Sequence, residues 1–548
     1  MTPPIEPAAV PDTVHALFQR SARRRPEADF LCTESVTAAS YGLHPGTQSW
    51  AEAAHEVEGL RQAYRQAGYG LGHRVGLLLE NRPAFFHHWL ALNALGASVL
   101  PIHADLRSAE LAYLLGHSEA VLVQALGGRV AGLREVAAAE GLAVQVRDWQ
   151  DSSPLPPAPT PARSGLPDAR TECALLYTSG TTGRPKGCRL SNGYFLAAGR
   201  WYAALPGLCR IRPDEERVIT PLPLNHMNAM AFSAMLVLQA GGCLVQLDRF
   251  HPATWWQSVR ESGASIAHYL GVMPAMLLAA PERADDAQTA LRFGFGAGVD
   301  PEHHARFEQR FGFPLIEAWA MTETGAAACV IASQEPRHVG ERVFGRPAEA
   351  MQWRLVDEQG AEVVPGQPGE LLVRAAGPDP RADFFGGYLK DAEATDEAWA
   401  GGWFHTGDLV RCLPDGSLAF VDRRKNLIRR SGENIAAVEV ESVLNQHPAV
   451  QASAVAATPD AVRGDEVLAC IVSREPLDEA GRAALAADLV AHALQRLAYY
   501  KAPGYVAFVP ALPLTASQKI QRGELRSLAQ ALPGQAHCLD LRHLKRRQ

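Results

Sequence analysis

The chain has 548 residues, too many for one hydrophobic core, so more than one domain is expected. Hydrophobic residues make up 47% and charged residues 20%, as in globular proteins, and the net charge of −7 excludes the basic surface of a general nucleic-acid binder. Nine scattered cysteines without a C-x-x-C pair fit reduced thiols better than a disulfide framework or a zinc site, and the opening MTPPIEPAAVPDT lacks the basic and apolar regions of a secretory signal, so a cytoplasmic protein is expected.

Apolar helical stretches alternate with short β-branched runs over about the first 340 residues, the pattern of an α/β fold. Leu77-Leu78-Leu79-Glu80-Asn81 reads as the end of a strand, residues 83–96 (PAFFHHWLALNALG) as a helix opened by proline, and residues 97–101 as the next strand. His87 and His88 on that helix are expected to pack or face solvent, not to bind metal. Residues 151–169, rich in Pro, Ser and Ala, read as a linker or surface loop between two sub-units.

Residues 177–187 then read Tyr-Thr-Ser-Gly-Thr-Thr-Gly-Arg-Pro-Lys-Gly. Glycines let backbone N–H groups approach an anion, the hydroxyls add short rotatable donors, and Lys186 supplies a point charge. This is a loop suited to polyphosphate. It is not a Walker A loop, because Pro185 precedes the lysine and Gly187 follows it.

Residues 229–247 are long and apolar enough to raise the question of a membrane span, but Gln239, Gly241 and Gly242 divide them into a buried helix, a turn and a strand, so no integral membrane segment is expected. Just before them, Leu224-Asn225-His226-Met227-Asn228 sets polar groups in apolar surroundings. Residues 318–324 (AWAMTET) offer an aromatic face for a base, a hydroxyl for phosphate and a carboxylate for a cation. From about residue 340 short strands with Gly/Pro turns, such as residues 369–374, indicate a small β-rich subdomain.

Asp408 follows a glycine turn and could accept both hydroxyls of a ribose. Residues 422–433 are basic, with Ser431-Gly432 near their end; residues 439–446 read as a helix and 454–457 as a strand of a second domain. Thr515-Ala-Ser-Gln-Lys-Ile520 sets a lysine in a loop of small residues, and the tail after Pro533, ending in HLKRRQ, is expected to be poorly ordered. Singly, each segment has an ordinary reading: a surface turn, a satisfied buried histidine, a helix cap, a turn aspartate, a charged hairpin, a surface lysine. Their order along one chain is what distinguishes them.

That ordered set resembles the adenylate-forming superfamily of acyl-CoA synthetases, peptide-synthetase adenylation domains and beetle luciferases, over roughly residues 15–530. Some stretches, such as Asn81-Arg82-Pro83, resemble the carnitine/crotonobetaine-CoA ligase branch. The resemblance implies a large N-terminal domain of stacked sheets flanked by helices, with a small β-rich subdomain, followed by a small mobile α+β C-terminal domain. We expect residues 1–424 (subdomains about 1–170, 171–345 and 346–424) and 425–548 as the two domains.

The resemblance also implies roles. Thr178, Ser179, Gly180, Thr181, Thr182, Gly183 and Lys186 would hold the ATP phosphates, Thr322 would touch phosphate, and Glu323 would bind Mg²⁺. Trp319, with Ala320 and Met321 after it, and the Gly296-Ala297-Gly298 turn would flank adenine, while Asp408 and Arg423 would hold the ribose. Lys425 would be the hinge, Ser431 and Gly432 would line a CoA tunnel, and Lys519 would be the catalytic lysine of the first half-reaction. His226 would position the carboxylate in an acyl pocket with Met227, Ala229, Phe232, Val272 and Met321. The chain departs from the family in having Trp319-Ala320 for Tyr-Gly, Ser431-Gly432 for Gly-Gly and Ser517-Gln518-Lys519 for Ser-Gly-Lys; none of these removes a catalytic group.

The implied activity joins a small-molecule carboxylate to CoA through an acyl-adenylate, using ATP and Mg²⁺. The mostly small or apolar pocket residues suit an apolar acyl or aryl group. The alternative is a stand-alone adenylating enzyme that loads a carrier protein in trans. Oligomeric state, a homodimer included, stays open.

Overall fold

The computed structural model describes residues 11–178, 185–423, 426–430, 433–460, 463–497, 499–514 and 519–545. Two large sheets, a smaller β subdomain and a C-terminal α+β domain follow from them. The first large sheet has eight strands in the order Val330–Ile331, Leu315–Trp319, Phe293–Ala297, Ile266–Leu270, Arg217–Thr220, Cys243–Gln246, Asp29–Thr33 and Gly46–Ser49. Its inner pairings are parallel and its two ends antiparallel. Strands buried on both faces need continuous apolar runs, and Cys243–Gln246 and Leu315–Trp319 are buried at every position.

The second sheet runs Gln145–Asp148, Leu122–Ala125, Arg74–Leu78, Ser98–Pro101, Glu172–Thr178 and Lys186–Ser191. One continuous core joins both sheets through the helices Val14–Arg24, Trp50–Gln66, Pro83–Ala94, Asn192–Ala203 and Met235–Ala240. The helix Pro83–Ala94 is apolar almost all round, as a helix enclosed in a core must be. His88 on it is buried against the Tyr64 hydroxyl at 2.7 Å, and His87 meets Gln48 at 2.7 Å, so both histidines have packing roles.

Several boundaries differ from expectation. The strand Arg74–Leu78 stops before Glu80, whose φ of 54° is left-handed and breaks the extended run. Residues 151–169 carry no helix or strand, but they do not separate two sheets: Glu172–Thr178 pairs with Ser98–Pro101, so the expected division near residue 170 falls inside one sheet. Residues 229–247 form the expected helix, turn and strand, although the helix begins as a π-helix over Asn228–Ala234. No helix among the described residues is long and apolar enough to cross a membrane.

The β subdomain orders Val343–Gly345, Leu418–Arg423, Phe404–Cys412, Gly369–Ala375 and Met351–Val356. The C-terminal domain builds its sheet from Leu427–Arg430, Glu433–Ala436, Val450–Asp460, Gly464–Ser473, Tyr505–Phe508 and Cys538–Asp540. That last strand corrects the expectation of a poorly ordered tail. Leu541 packs into the domain core, and Lys545 is buried against Glu466. Between domains, Arg342 donates to the Ser442 hydroxyl at 2.6 Å, and that hydroxyl lies 3.2 Å from Asp300.

Candidate active site

Leu270, Ala297 and Trp319 end three neighbouring parallel strands on one side of the eight-stranded sheet. Open α/β sheets bind ligands outside these carboxyl ends. A Cβ on Gly296 would lie 2.3 Å from the Tyr269 carbonyl oxygen, so only glycine lets the strands close here. Gly298, at φ +81°, turns the chain away, and its N–H and that of Val299 donate to Glu317 at 2.8 and 3.0 Å. The Tyr269 hydroxyl donates to the same carboxylate at 3.0 Å. Burial pushes the Glu317 pKa up despite these donors. Sequence reasoning missed Glu317, which looks like any strand residue; its one signal was an acid in an otherwise apolar run.

The Trp319 indole N–H donates to Asp408 at 2.9 Å, and the Arg423 guanidinium lies 2.9 Å from the other Asp408 oxygen. Asp408 and Arg423 are cross-strand partners in the β subdomain, which explains why two residues distant in sequence act on one spot. Asp408 is buried and Arg423 half-exposed. A carboxylate has about four lone-pair sites and can serve several donors at once.

Thr178 and Lys186 face each other across an antiparallel pair, so the two ends of the predicted phosphate loop stand side by side. Ser179, Gly180, Thr181, Thr182 and Gly183 lie outside the described residues. Lys186 sits 4.8 Å from the centre of the Tyr388 ring and 4.0 Å from Asp391. The Tyr388 hydroxyl donates to Glu323 at 2.9 Å. Burial, then the Glu323 charge, pushes the Tyr388 pKa up, so it remains a phenol and a donor. Tyr388, also missed from sequence, thereby links the predicted phosphate lysine to the predicted metal carboxylate. Thr322 and Met321 are half-buried beside it, in a turn closed by Thr324 accepting from the Met321 N–H at 3.0 Å.

His226 stands in a loop held by Asn81, whose side chain accepts from Leu224 N–H at 3.0 Å and donates to the carbonyls of Leu222 and Leu247. That is the structural role of the Asn81-Arg82-Pro83 stretch. The His226 ring remains open to water, yet protein crowds the cleft around it. That crowding, then the charges of Lys519 and His103, push its pKa down. Lys519 is likewise exposed but crowded, and desolvation followed by the Arg423 charge lowers its pKa. The C-terminal lysine therefore lies in the electrostatic reach of both His226 and Arg423. Of the other pocket residues, Ala229 and Phe232 are buried in the core, Met227 is half-buried, and Val272 is 40% exposed. Lys425, Ser431 and Gly432 lie outside the described residues.

The chain matches the AMP-binding enzyme family over residues 18–389 and the C-terminal domain of that family over residues 439–519. It is 33% identical to a sulfoacetate–CoA ligase of Cupriavidus necator, covering 94% of this chain and 97% of that protein. It is 28% identical to a crotonobetaine/carnitine–CoA ligase of Citrobacter koseri, covering 87% and 93%. Its fold superposes on O-succinylbenzoate coenzyme A synthetase from Bacillus subtilis, solved with ATP and magnesium ion, with a TM-score of 0.77 at 23% identity over 93% of this chain and 98% of that one. The chain belongs to the AMP-binding enzyme family and is an acid–thiol ligase of its acyl-CoA synthetase kind.

Proposed function

We propose that this ligase works in two steps. A carboxylate oxygen attacks the α-phosphorus of ATP, the bond to the bridging oxygen breaks, and pyrophosphate leaves. The CoA thiol then attacks the acyl carbon, AMP leaves, and the thiol proton passes to solvent. The observations that support this reading are the contacts of Trp319 and Arg423 with Asp408, together with Lys519 of the C-terminal domain lying in electrostatic reach of His226 and Arg423. In-line attack brings two anions together, so preorganised cations and donors are what lower the barrier.

In this reading Asp408 accepts from the ribose, and Trp319 and the Gly296–Gly298 turn flank the base. The segment 178–186 and Thr322 hold phosphates. Among the described residues no group of three or more His, Cys, Asp or Glu side chains could hold a metal. A single carboxylate, Glu323, suits Mg²⁺, which takes one or two protein carboxylates and completes its shell with phosphate oxygens and water. Bound there, Mg²⁺ would neutralise charge on the triphosphate. Tyr388→Phe should raise the Mg²⁺ concentration for half-maximal activity about fivefold, the loss of one hydrogen bond of about 1 kcal/mol. A superimposable Mg²⁺ titration would detach Tyr388 from this role.

Lys425 as hinge and Ser431-Gly432 as part of a CoA tunnel belong to the same proposal, as does a cytosolic site, which nine free cysteines support. Relatives named as CoA ligases favour CoA over a carrier protein as acceptor. For the acid we keep an apolar acyl or aryl carboxylate, which the mostly small or apolar residues Met227, Ala229, Phe232, Val272 and Met321 suit. The test is a pyrophosphate-release screen over short, branched, aryl, sulfonated and betaine acids, with and without CoA. Release that needs an acid, with AMP and a thioester as products, is expected. ADP as product, or silence across the panel, would overturn it.

A further inference from the structure

The segment expected to hold phosphates is met at both ends by side chains of one helix that the two-step chemistry does not use. That helix, Ser108–Ser118, buries Leu111, Leu114 and Leu115 in a core shared with strands of the second sheet. It also carries Tyr113 and His117, four residues apart and so on one face, with ring centroids 5.2 Å apart and planes 23° from parallel. The Tyr113 hydroxyl donates to the Pro185 carbonyl at 2.9 Å. The His117 Nδ1 lies 2.7 Å from the Tyr177 hydroxyl. The Tyr177 ring meets the His117 ring edge-on at 5.7 Å and the Tyr113 ring edge-on at 6.4 Å.

The two anchored residues each stand one position before a predicted phosphate group. Pro185 precedes Lys186, and Tyr177 precedes Thr178. Thr178 and Lys186 are themselves cross-strand partners. Proline has no N–H, so its carbonyl is the one main-chain group by which position 185 can be tied down. Tyr177 pairs with Gly187 in the same ladder, and a Cβ there would lie 3.2 Å from the Tyr177 ring, so glycine gives that ring its room. The far end of the helix is tied as well. Glu119, just past it, pairs at 3.0 Å with Lys390, two residues after the Tyr388 whose ring lies 4.8 Å from the Lys186 ammonium.

We propose that Tyr113 and His117 are positioning residues for the triphosphate: they fix the main chain beside Thr178 and Lys186, and so set where that hydroxyl and that ammonium meet the phosphates beyond the α-phosphate. This inference rests on the ligase reading and assigns two further residues to its first step. Neither side chain touches the nucleotide in this role. Anchors on a packed helix order the chain before the anion arrives, so binding does not have to supply that entropy.

The test compares binding of Mg²⁺–ATP and of AMP to the full-length protein by titration calorimetry, with no acid present. Tyr113→Phe keeps the stacked ring and removes only the hydroxyl. It should raise the Kd for ATP about fivefold and the Kd for AMP less than about twofold. His117→Phe keeps the stack and removes the nitrogen beside Tyr177, and should show the same pattern. His117→Asn, which sets an amide near the place of Nδ1, should keep more of the ATP affinity than His117→Phe. The variant with both phenylalanines should lose about tenfold or more for ATP. ATP curves superimposable on those of the wild type would overturn the proposal. So would ATP and AMP weakened by the same factor, because that marks a general loosening of the cleft. A wild type that binds neither nucleotide would instead remove the ligase reading, and this inference with it.

Discussion

Lys519→Ala should cut adenylate formation by about 10²–10³, a loss of roughly 3–4 kcal/mol of transition-state stabilisation, the scale for removing one preorganised donor. Thioester formation from supplied acyl-adenylate should stay within a few-fold of the parent protein. The asymmetry follows from where charge develops. The first step builds charge on the α-phosphoryl oxygens, where an ammonium is most useful. In the second step the adenylate already exists, and a thiol has to reach the acyl carbon along a path this side chain would obstruct. In the proposed reading, a C-terminal domain turning about Lys425 would remove the obstruction. The lowered pKa of Lys519 fits a group held among protein atoms beside the Arg423 cation. ATP–pyrophosphate exchange measures the first half, and CoA-dependent consumption of synthetic acyl-adenylate the second. Equal losses in both would contradict the division of labour.

Much of this candidate site can be named from the sequence because its parts are local. The segment 177–187 expected to hold phosphates, the acid after a glycine turn at Asp408 and the lysine at 519 are short segments whose chemistry is written in consecutive residues. The buried helix Pro83–Ala94 was legible for a similar reason: an apolar run behind a proline admits few readings. What escaped depends on register between distant strands. Glu317 matters because the strand beside it ends in the Gly298 turn, and Tyr388 because its loop meets Glu323. Neither neighbour is visible from sequence spacing. The tail failed differently. HLKRRQ has the composition of solvated chain, and only Glu466, far upstream, gives Lys545 a reason to be buried.

That cluster yields the second large effect. Glu466 is fully buried, and its two oxygens each lie 2.9 Å from Arg430 Nε, with Lys545 on the same carboxylate. One anion serves two buried cations. Glu466→Ala leaves both unpaired in a medium that solvates charge poorly, and should cost about 3–5 kcal/mol. Lys545→Met removes one cation and leaves a neutral Arg430–Glu466 pair, so it should cost much less, although it deletes a contact at the same carboxylate. A ledger that merely counted ion pairs would rank the two changes more nearly alike; the desolvation argument separates them. Urea unfolding of the full-length variants, followed by a probe in the C-terminal domain, should show a large drop in midpoint for Glu466→Ala and a small one for Lys545→Met. The strand Leu427–Arg430 also adjoins the predicted hinge at Lys425. Loosening Arg430 should therefore slow thioester formation more than pyrophosphate exchange at temperatures where the variant is still folded. Equal midpoints for the two variants would show that the cluster is held by packing and not by the carboxylate.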